Sequence, residues 1–336
     1  MTSPAPDYRP TASLAMLQLR ARLLASARRF FDLRGYFEVD TPLLSHDRVV
    51  DPHLEPFRVE QGSTALYLQT SPEFGMKRLL TAGAQAIYQI GHVFRAGESG
   101  RLHNPEFTMI EWYRAGDTHL DQMQVVEDLV VELFKSAAGE PWTGAATRQP
   151  QAPFVRTTYR EAFQKHSGCD INSLDGAGLA ALARSKSVSS PASLDTSDRD
   201  GWLNLLLAEL VEPHLGRKRP EFLIDYPASQ AAIARIRNDD PPVAERFELY
   251  QGGIELCNGY RELTDATELR RRMAAESRRL AAAGQPPLAM TSRLLQAMEA
   301  GLPPCAGVAL GFDRLLVLAA GAGSLDEVIP FPFSRA

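Results

Sequence analysis

The segment FRAGESGRLHNPEFTMIEWYRA, Phe94 to Ala115, places Arg95, Glu98, Arg101, His103, Asn104, Glu106, Glu111 and Tyr113 around one short loop between two strand-like runs. Such a density of ionisable groups cannot form a core, and its flanks are too regular for a disordered loop. Arginine presents several N–H donors in a planar fork that suits phosphate or carboxylate oxygens. The segment therefore points to an anionic ligand, foremost a nucleotide. After the loop, Phe107, Met109, Glu111 and Tyr113 share one parity, so a strand would carry an aromatic, a carboxylate and a phenol on one face. Before it, Ile87, Gln89, Gly91, Val93 and Arg95 share a face, which leaves Arg95 at a strand end. A solvated hairpin with surface ion pairs would explain any one of these residues, but explains the group poorly.

Two further groups could join this chemistry. Glu248, Glu255 and Glu262 recur evenly, but Gly252, Gly253 and Gly259 argue against a helix. A hairpin turning at Gln251-Gly252 would set Glu248 opposite Glu255. Like charges so placed repel, and Mg²⁺, which takes one or two carboxylates plus phosphate oxygens, would relieve the repulsion. Glu262 shares parity with Asn258 and Tyr260 but not with Glu255, so a common face requires a bulge, expected at Cys257 to Gly259. A polar hairpin face open to water is the alternative. Lastly, Gly307, Ala309 and Gly311 precede Asp313 and Arg314. Alternating small residues let a ligand approach a strand closely, although they also permit tight helix–sheet packing. Arg314 could reach phosphate, or stack on an adenine opposite Phe107.

The elements that must position these residues follow from periodicity. Residues 12 to 34 read as a helix carrying Leu14, Leu17, Leu24 and Phe31, stopped by Gly35. Tyr36 to Leu44 reads as a strand interrupted by Pro42, suited to an edge or an interface. Ala65 to Gln69 is a further strand, and a helix from Glu73 to Leu80 starts with Ser71 as cap and Pro72 at its first position. A helix is expected from Leu120 to Ala137. Residues 138 to 153 and 185 to 200 look like connectors around a peripheral helical region. Strands return with FLIDYP and ERFELYQGGIELCNGYREL. The basic helix from Thr267 to Ala283 reads as a solvated face rather than a nucleic-acid contact. AGVALGFDRLLVLAAG is a strand running into a helix. Strands in hairpins with helices between groups predict an α+β fold around an antiparallel sheet.

With 336 residues, net charge -5 and 44% hydrophobic residues, the chain suits a soluble globular protein with no global electrostatic reason to bind nucleic acid. No run of about 18 apolar residues offers a membrane span, and the start lacks a secretory signal. Cys169, Cys257 and Cys305 have neither zinc-ligand nor disulfide-framework spacing, so a reducing cytoplasm is expected. Among the histidines only His103 sits where chemistry is expected.

Together the three groups resemble the class II aminoacyl-tRNA synthetase core. RGYFEVDTPLL resembles motif 1, FRAGESGRLHNPEFTMIEWY motif 2 and GVALGFDRLLVL motif 3. SPEFGMKRLL, HNPEFTM and FELYQGGIELCNGYREL are similar to the lysyl subfamily. The resemblance implies one catalytic domain over residues 1–336, with a flexible start at 1–11 and a peripheral helical insertion at 138–220. Little sequence precedes motif 1, which implies a core without the anticodon-binding OB-fold. Stand-alone lysyl-type cores resemble the elongation factor P–(R)-β-lysine ligases, a likeness that PASQAAIA, VAERFELY and DEVIPF share. Two departures from the synthetases stand out. Ala309 replaces a usual glycine in the amino-acid pocket, and Gly97 stands where an acid is common, with Glu98 beside it.

That resemblance implies ATP and Mg²⁺ as co-substrate and metal, (R)-β-lysine as the amino acid, and a lysine of translation elongation factor P as the acceptor. A cytoplasmic homodimer that joins neither membrane nor tRNA is implied as well. Arg95 and Arg314 would be catalytic. ATP would be bound by Arg95, Ala96, Gly97, Glu98, His103, Asn104, Phe107, Glu248, Leu249, Gly311 and Arg314, with Mg²⁺ on Glu248 and Glu255. The amino acid would meet Ser71, Pro72, Glu73, Glu111, Tyr113, Glu255, Asn258, Tyr260, Glu262 and Ala309. The alternatives are a truncated lysyl-tRNA synthetase paralogue acting on α-lysine, and a non-catalytic amino-acid sensor. Intact Arg95, Glu248, Glu255 and Arg314 argue against a sensor.

Overall fold

A computed structural model describes residues 8–47, 54–62, 64–138, 149–282, 284 and 291–336. The expected flexible start falls, at residues 1–7, outside the described residues, as do residues 139–148 of the first connector.

The chain opens with α1 (Leu14–Asp32), capped by Ser13 and ended near Gly35. Its buried stripe is Met16, Leu19, Leu23, Ala27, Phe30 and Phe31, whereas Leu14, expected on that face, is 73% exposed. The single strand expected at Tyr36 to Leu44 is instead two short ones flanking Pro42, β1 (Phe37–Glu38) and β2 (Leu44–Ser45). Proline lacks the N–H that a continuous ladder would use. Next come β3 (Arg58–Gln61), β4 (Thr64–Leu68), α2 (Glu73–Thr81), β5 (Ala86–Phe94), β6 (Glu106–Ala115) and α3 (His119–Ala137). The expected helical region contributes β7 (Val155–Thr158) as well as α4 (Tyr159–Ser167), α5 (Gly176–Ser185) and α6 (Arg199–Leu206). The chain finishes with β8 (Glu221–Pro227), β9 (Ile236–Arg237), β10 (Val243–Gln251), β11 (Ile254–Arg261), α7 (Ala266–Ala282), α8 (Arg293–Gly301), β12 (Cys305–Gly311) and α9 (Phe312–Ala320).

One large sheet runs β1-β5-β6-β12-β11-β10-β8-β7, with β9 on β10; only β1–β5 and β7–β8 are parallel. A small sheet, β2-β4-β3, sits apart. The α+β expectation holds. Strand alternation gives the large sheet two characters. Tyr88, Ile110, Trp112, Leu249, Val308 and Leu310 enter the main core, where α1, α3 and α9 cover them. The opposite face carries Phe107, Glu111, Tyr113, Asn258, Tyr260, Ala309 and Gly311, which line a cavity.

The β10–β11 hairpin differs from the expected register. Its turn is Gly252-Gly253, with φ of 64° and 77°, rather than Gln251-Gly252. Two left-handed residues make the turn type that matches strand twist, and glycine adopts them without steric cost. Tyr250 consequently pairs with Glu255, and Glu248 with Asn258. The anticipated opposition of Glu248 and Glu255 does not occur. The bulge lies at Leu256, between the partners of Tyr250 and Leu249, not at Cys257 to Gly259. It brings Glu255 into phase with Asn258 and Tyr260, which all line the cavity, whereas Glu262, expected on the same face, does not. Among the described residues no helix is long and apolar enough to cross a membrane.

Candidate active site

The cavity has a volume of about 930 Å³, near the top of the range for ligand sites. Three strands of its floor lie in register: Met109 pairs with Gly311, Glu111 with Ala309 and Tyr113 with Gly307, while Ala309 and Gly307 pair on the other side with Asn258 and Tyr260. The motif-like segments, distant in sequence, become neighbours because β12 is threaded between β6 and β11.

One end is rich in arginine. Arg314, at the start of α9, donates to the Leu102 carbonyl at 3.2 Å and to the Glu255 carboxylate at 3.3 Å. It also lies 2.7 Å from His103 Nε2. Burial, then the Arg314 charge, lowers the His103 pKa, so the imidazole is the neutral acceptor of this hydrogen bond. Beneath Arg314, Asp313 accepts from the Thr108 amide at 2.7 Å and pairs with Arg20 of α1. Arg95 lies 5.0 Å from the Phe107 ring centroid and 3.7 Å from Glu98, and its buried Nε has no hydrogen-bond partner among the described residues. Gly97 has φ of 78°. The loop turns left-handed there, which explains glycine at a position where an acid was anticipated; Glu98 lines the cavity instead. Asn104 is fixed at both ends, donating to the Glu106 carbonyl at 2.6 Å and accepting from the Phe333 amide at 2.9 Å.

The other end is rich in buried carboxylates. Glu111, on β6, accepts from Ser71 Oγ at 2.7 Å and Tyr113 OH at 2.8 Å. Burial, then the Glu73 charge, pushes its pKa up to about 7. Ser71 also accepts from the Glu73 amide at 3.1 Å, although α2 begins at Glu73 with Pro72 in the cap position. Sequence reasoning missed Lys77. Its ammonium lies 2.5 Å from both Glu73 and Glu262, and the residue is 1% exposed. Burial alone would lower its pKa, but Glu262 and Glu73 outweigh burial, so Lys77 is charged. The four-residue step from Glu73 to Lys77 was the available signal.

Between the ends, Glu248 accepts from Arg246 at 2.6 Å, Tyr250 OH at 2.6 Å and Asn258 at 3.3 Å. Arg246, two residues away on the same strand face, was also missed; parity with Glu248 could have revealed it. Burial and Glu248 raise the Glu255 pKa, opposed by Arg314.

Ser71, Glu73, Arg95, Glu98, His103, Asn104, Phe107, Glu111, Tyr113, Glu248, Glu255, Asn258, Tyr260, Ala309, Gly311 and Arg314 thus share one cavity. Pro72, Ala96, Gly97, Leu249 and Glu262 are not part of its lining. Pro72 borders a smaller cavity beside β2, and Leu249 points into the main core. Glu262 is 3% exposed and lies behind Lys77. Among the described residues no group of three or more His, Cys, Asp or Glu forms a metal-binding cluster.

Residues 3–335 match the family model of class II tRNA synthetases (D, K and N). The chain is 45% identical over 337 residues to an elongation factor P–(R)-β-lysine ligase from Edwardsiella ictaluri, covering 98% of each chain. It is 44% identical to the proteins of that name from Proteus mirabilis and Yersinia enterocolitica, again over 98% of each chain.

Proposed function

The chain belongs to the class II tRNA synthetase family (D, K and N), and from that premise we propose that it is an ATP-dependent ligase that activates (R)-β-lysine and transfers it to a lysine of translation elongation factor P. The cavity's polarity carries this reading. Guanidinium groups at one end and buried carboxylates at the other suit a molecule with phosphate at one end and ammonium at the other, which describes an aminoacyl adenylate. The acceptor comes from the relatives' name.

In the first step a carboxylate oxygen of the amino acid bonds to the α-phosphorus of ATP, and pyrophosphate leaves with the electron pair of the broken P–O bond. The carboxylate is already a nucleophile, so catalysis consists of positioning and charge neutralisation. Arg95 would bridge carboxylate and α-phosphate; its buried Nε, without a hydrogen-bond partner among the described residues, supports this. Arg314 and His103 would meet the outer phosphates. Ala96, Gly97 and Glu98 would flank the triphosphate, and Asn104, Phe107, Leu249 and Gly311 the adenosine. Leu249 could contribute only backbone, since its side chain is buried in the core. Glu248 and Glu255 would hold Mg²⁺. Arg246, Tyr250 and Asn258 donate to Glu248 and Tyr226 is in reach of it, whereas among the described residues Arg314 is the one side-chain donor to the Glu255 carboxylate, so Glu255 has the freer oxygens for a cation. When bound, Mg²⁺ would neutralise charge on the phosphates.

Glu111, Tyr113 and Glu73 would receive the amino groups, with Ser71 orienting Glu111 and Asn258, Tyr260 and Ala309 shaping the wall. Glu262 would act through Lys77. In the second step the acceptor amine, deprotonated, bonds to the carbonyl carbon, the carbon–oxygen bond to phosphate breaks, and AMP departs with the electron pair. Exposed Leu33, Phe37, Leu43 and Leu44 around β1 and β2 support a homodimer. Incubation with ATP, labelled (R)-β-lysine and either elongation factor P or tRNA-Lys tests the reading. Label on the protein is expected; label on tRNA alone overturns it.

A further inference from the structure

One wall of the carboxylate-rich end is a tight turn of backbone between β8 and β9. Ala231, Ala232 and Ile233 line the cavity there. Ile233 packs with Phe74, Met76, Tyr113 and Leu269, and its carbonyl accepts from the Leu263 amide at 2.9 Å. Ala234 bridges to Glu262, the partner of Lys77. The turn thus belongs to the end assigned to the amino acid. Ala231 is right-handed, with φ of -66°, and Ala232 follows at φ of 45°. The left-handed region is unfavourable for an alanine, so its surroundings must hold Ala232 there. Arg272 of α7 does so. Its Nη1 donates to the Ala232 carbonyl at 2.7 Å and the Ala234 carbonyl at 2.8 Å. Oxygens so close to one nitrogen cannot belong to an extended chain, whose alternate residues lie about 6.6 Å apart. The turn has to curl to keep both bonds. A helical ion pair does not explain this arginine. Arg271 and Arg272 both pair with Glu268, at 2.7 Å and 2.8 Å, but the Arg271 side chain is 68% exposed and that of Arg272 only 14%.

We infer that Arg272 is a positioning residue for amino-acid binding. By gathering the Ala232 and Ala234 carbonyls it keeps Ala232 left-handed, and so fixes the wall that Ala231, Ala232 and Ile233 present to the amino acid. The inference rests on the reading of this end as the amino-acid site and adds what sets its width. Glycine at position 232 would adopt the same curl without being held, which separates this role from a general contribution to stability.

Pyrophosphate exchange with ATP and (R)-β-lysine, without acceptor, tests this. Arg272→Met keeps an unbranched stem and removes the donors. KM for the amino acid is expected to rise roughly tenfold, with kcat and KM for ATP changing by less than about twofold. Adding Ala232→Gly is expected to recover most of that rise, because glycine curls unaided. If Arg272 acted only through stability, the added glycine would deepen the loss, since it loosens the unfolded chain. An unchanged KM for the amino acid, an equal rise in both KM values, or a further loss on adding glycine overturns the inference. Should Arg272→Met not fold, Ala232→Val strains the same turn with the arginine in place. It is expected to raise KM for the amino acid alone, and no rise overturns the inference. If the unaltered protein exchanges with α-lysine but not with (R)-β-lysine, the proposed substrate fails, and KM for α-lysine still reads the wall.

Discussion

Lys77 decides whether the carboxylate-rich end can exist. Its ammonium lies between Glu73 and Glu262 with water excluded. Lys77→Met removes the shared cation and leaves both carboxylates buried and unpaired, so a loss of about 3–5 kcal/mol is expected in denaturant unfolding. A loss below about 1 kcal/mol would mean that the carboxylates find other partners. Glu111 governs a pH effect. Its pKa of about 7, raised by burial and Glu73, means that without ligand the folded state binds more protons than the unfolded state between the ordinary carboxylate pKa and pH 7. Stability from this group is thus fully present below the ordinary value and is lost as pH rises towards 7. Binding has the opposite sign, because an ammonium prefers the ionised carboxylate. KM for the amino acid in pyrophosphate exchange is expected to climb as pH falls below about 7 and to flatten in Glu111→Gln. Ala309 lies between Glu111 and Asn258 in the sheet register, where its methyl would crowd an α-amino group. Ala309→Gly is expected to shift exchange towards α-lysine over (R)-β-lysine; an unchanged ratio rules the methyl out.

At the level of elements, the floor depends on β12 being thin. A Cβ built on Gly307 would lie 2.2 Å from Tyr113 Cε1, so Gly307→Ala must displace the ring whose hydroxyl donates to Glu111. A stability loss of about 1–3 kcal/mol is expected, together with a higher KM for the amino acid and little change in KM for ATP. Equal effects on both would show general damage instead. This close approach was half legible in the sequence. The small residues of β12 and the parity of β6 named the floor, because alternation along one strand is a local property. The hairpin register was not legible. Moving the turn by one residue, to Gly252-Gly253, and placing the bulge at Leu256 abolished the expected opposition of Glu248 and Glu255, and the turn is held by hydrogen bonds to the carbonyls of residues 215 and 216, remote from it in sequence. Lys77 stayed hidden for a related reason: charge suggests exposure, and its second partner, Glu262, is remote in sequence.

Across the whole molecule, one sheet face is a dry core under α1, α3 and α9, while the other is a polar cavity. The exposed Leu33, Phe37, Leu43 and Leu44 flank or belong to β1, an edge strand of that sheet, and β2 of the small sheet. If they form a subunit interface, Phe37→Glu is expected to halve the mass seen by light scattering; a monomeric unaltered protein would refute the interface. The arginine-rich end is also tied to remote parts of the chain. Asp313, next to Arg314, reaches α1 through Arg20, and Asn104 reaches Phe333. The last of these links has a practical corollary. An affinity tag or fluorescent protein fused after Ala336 would pull on the backbone that steadies the nucleotide loop, so such a fusion should weaken ATP use more than amino-acid use.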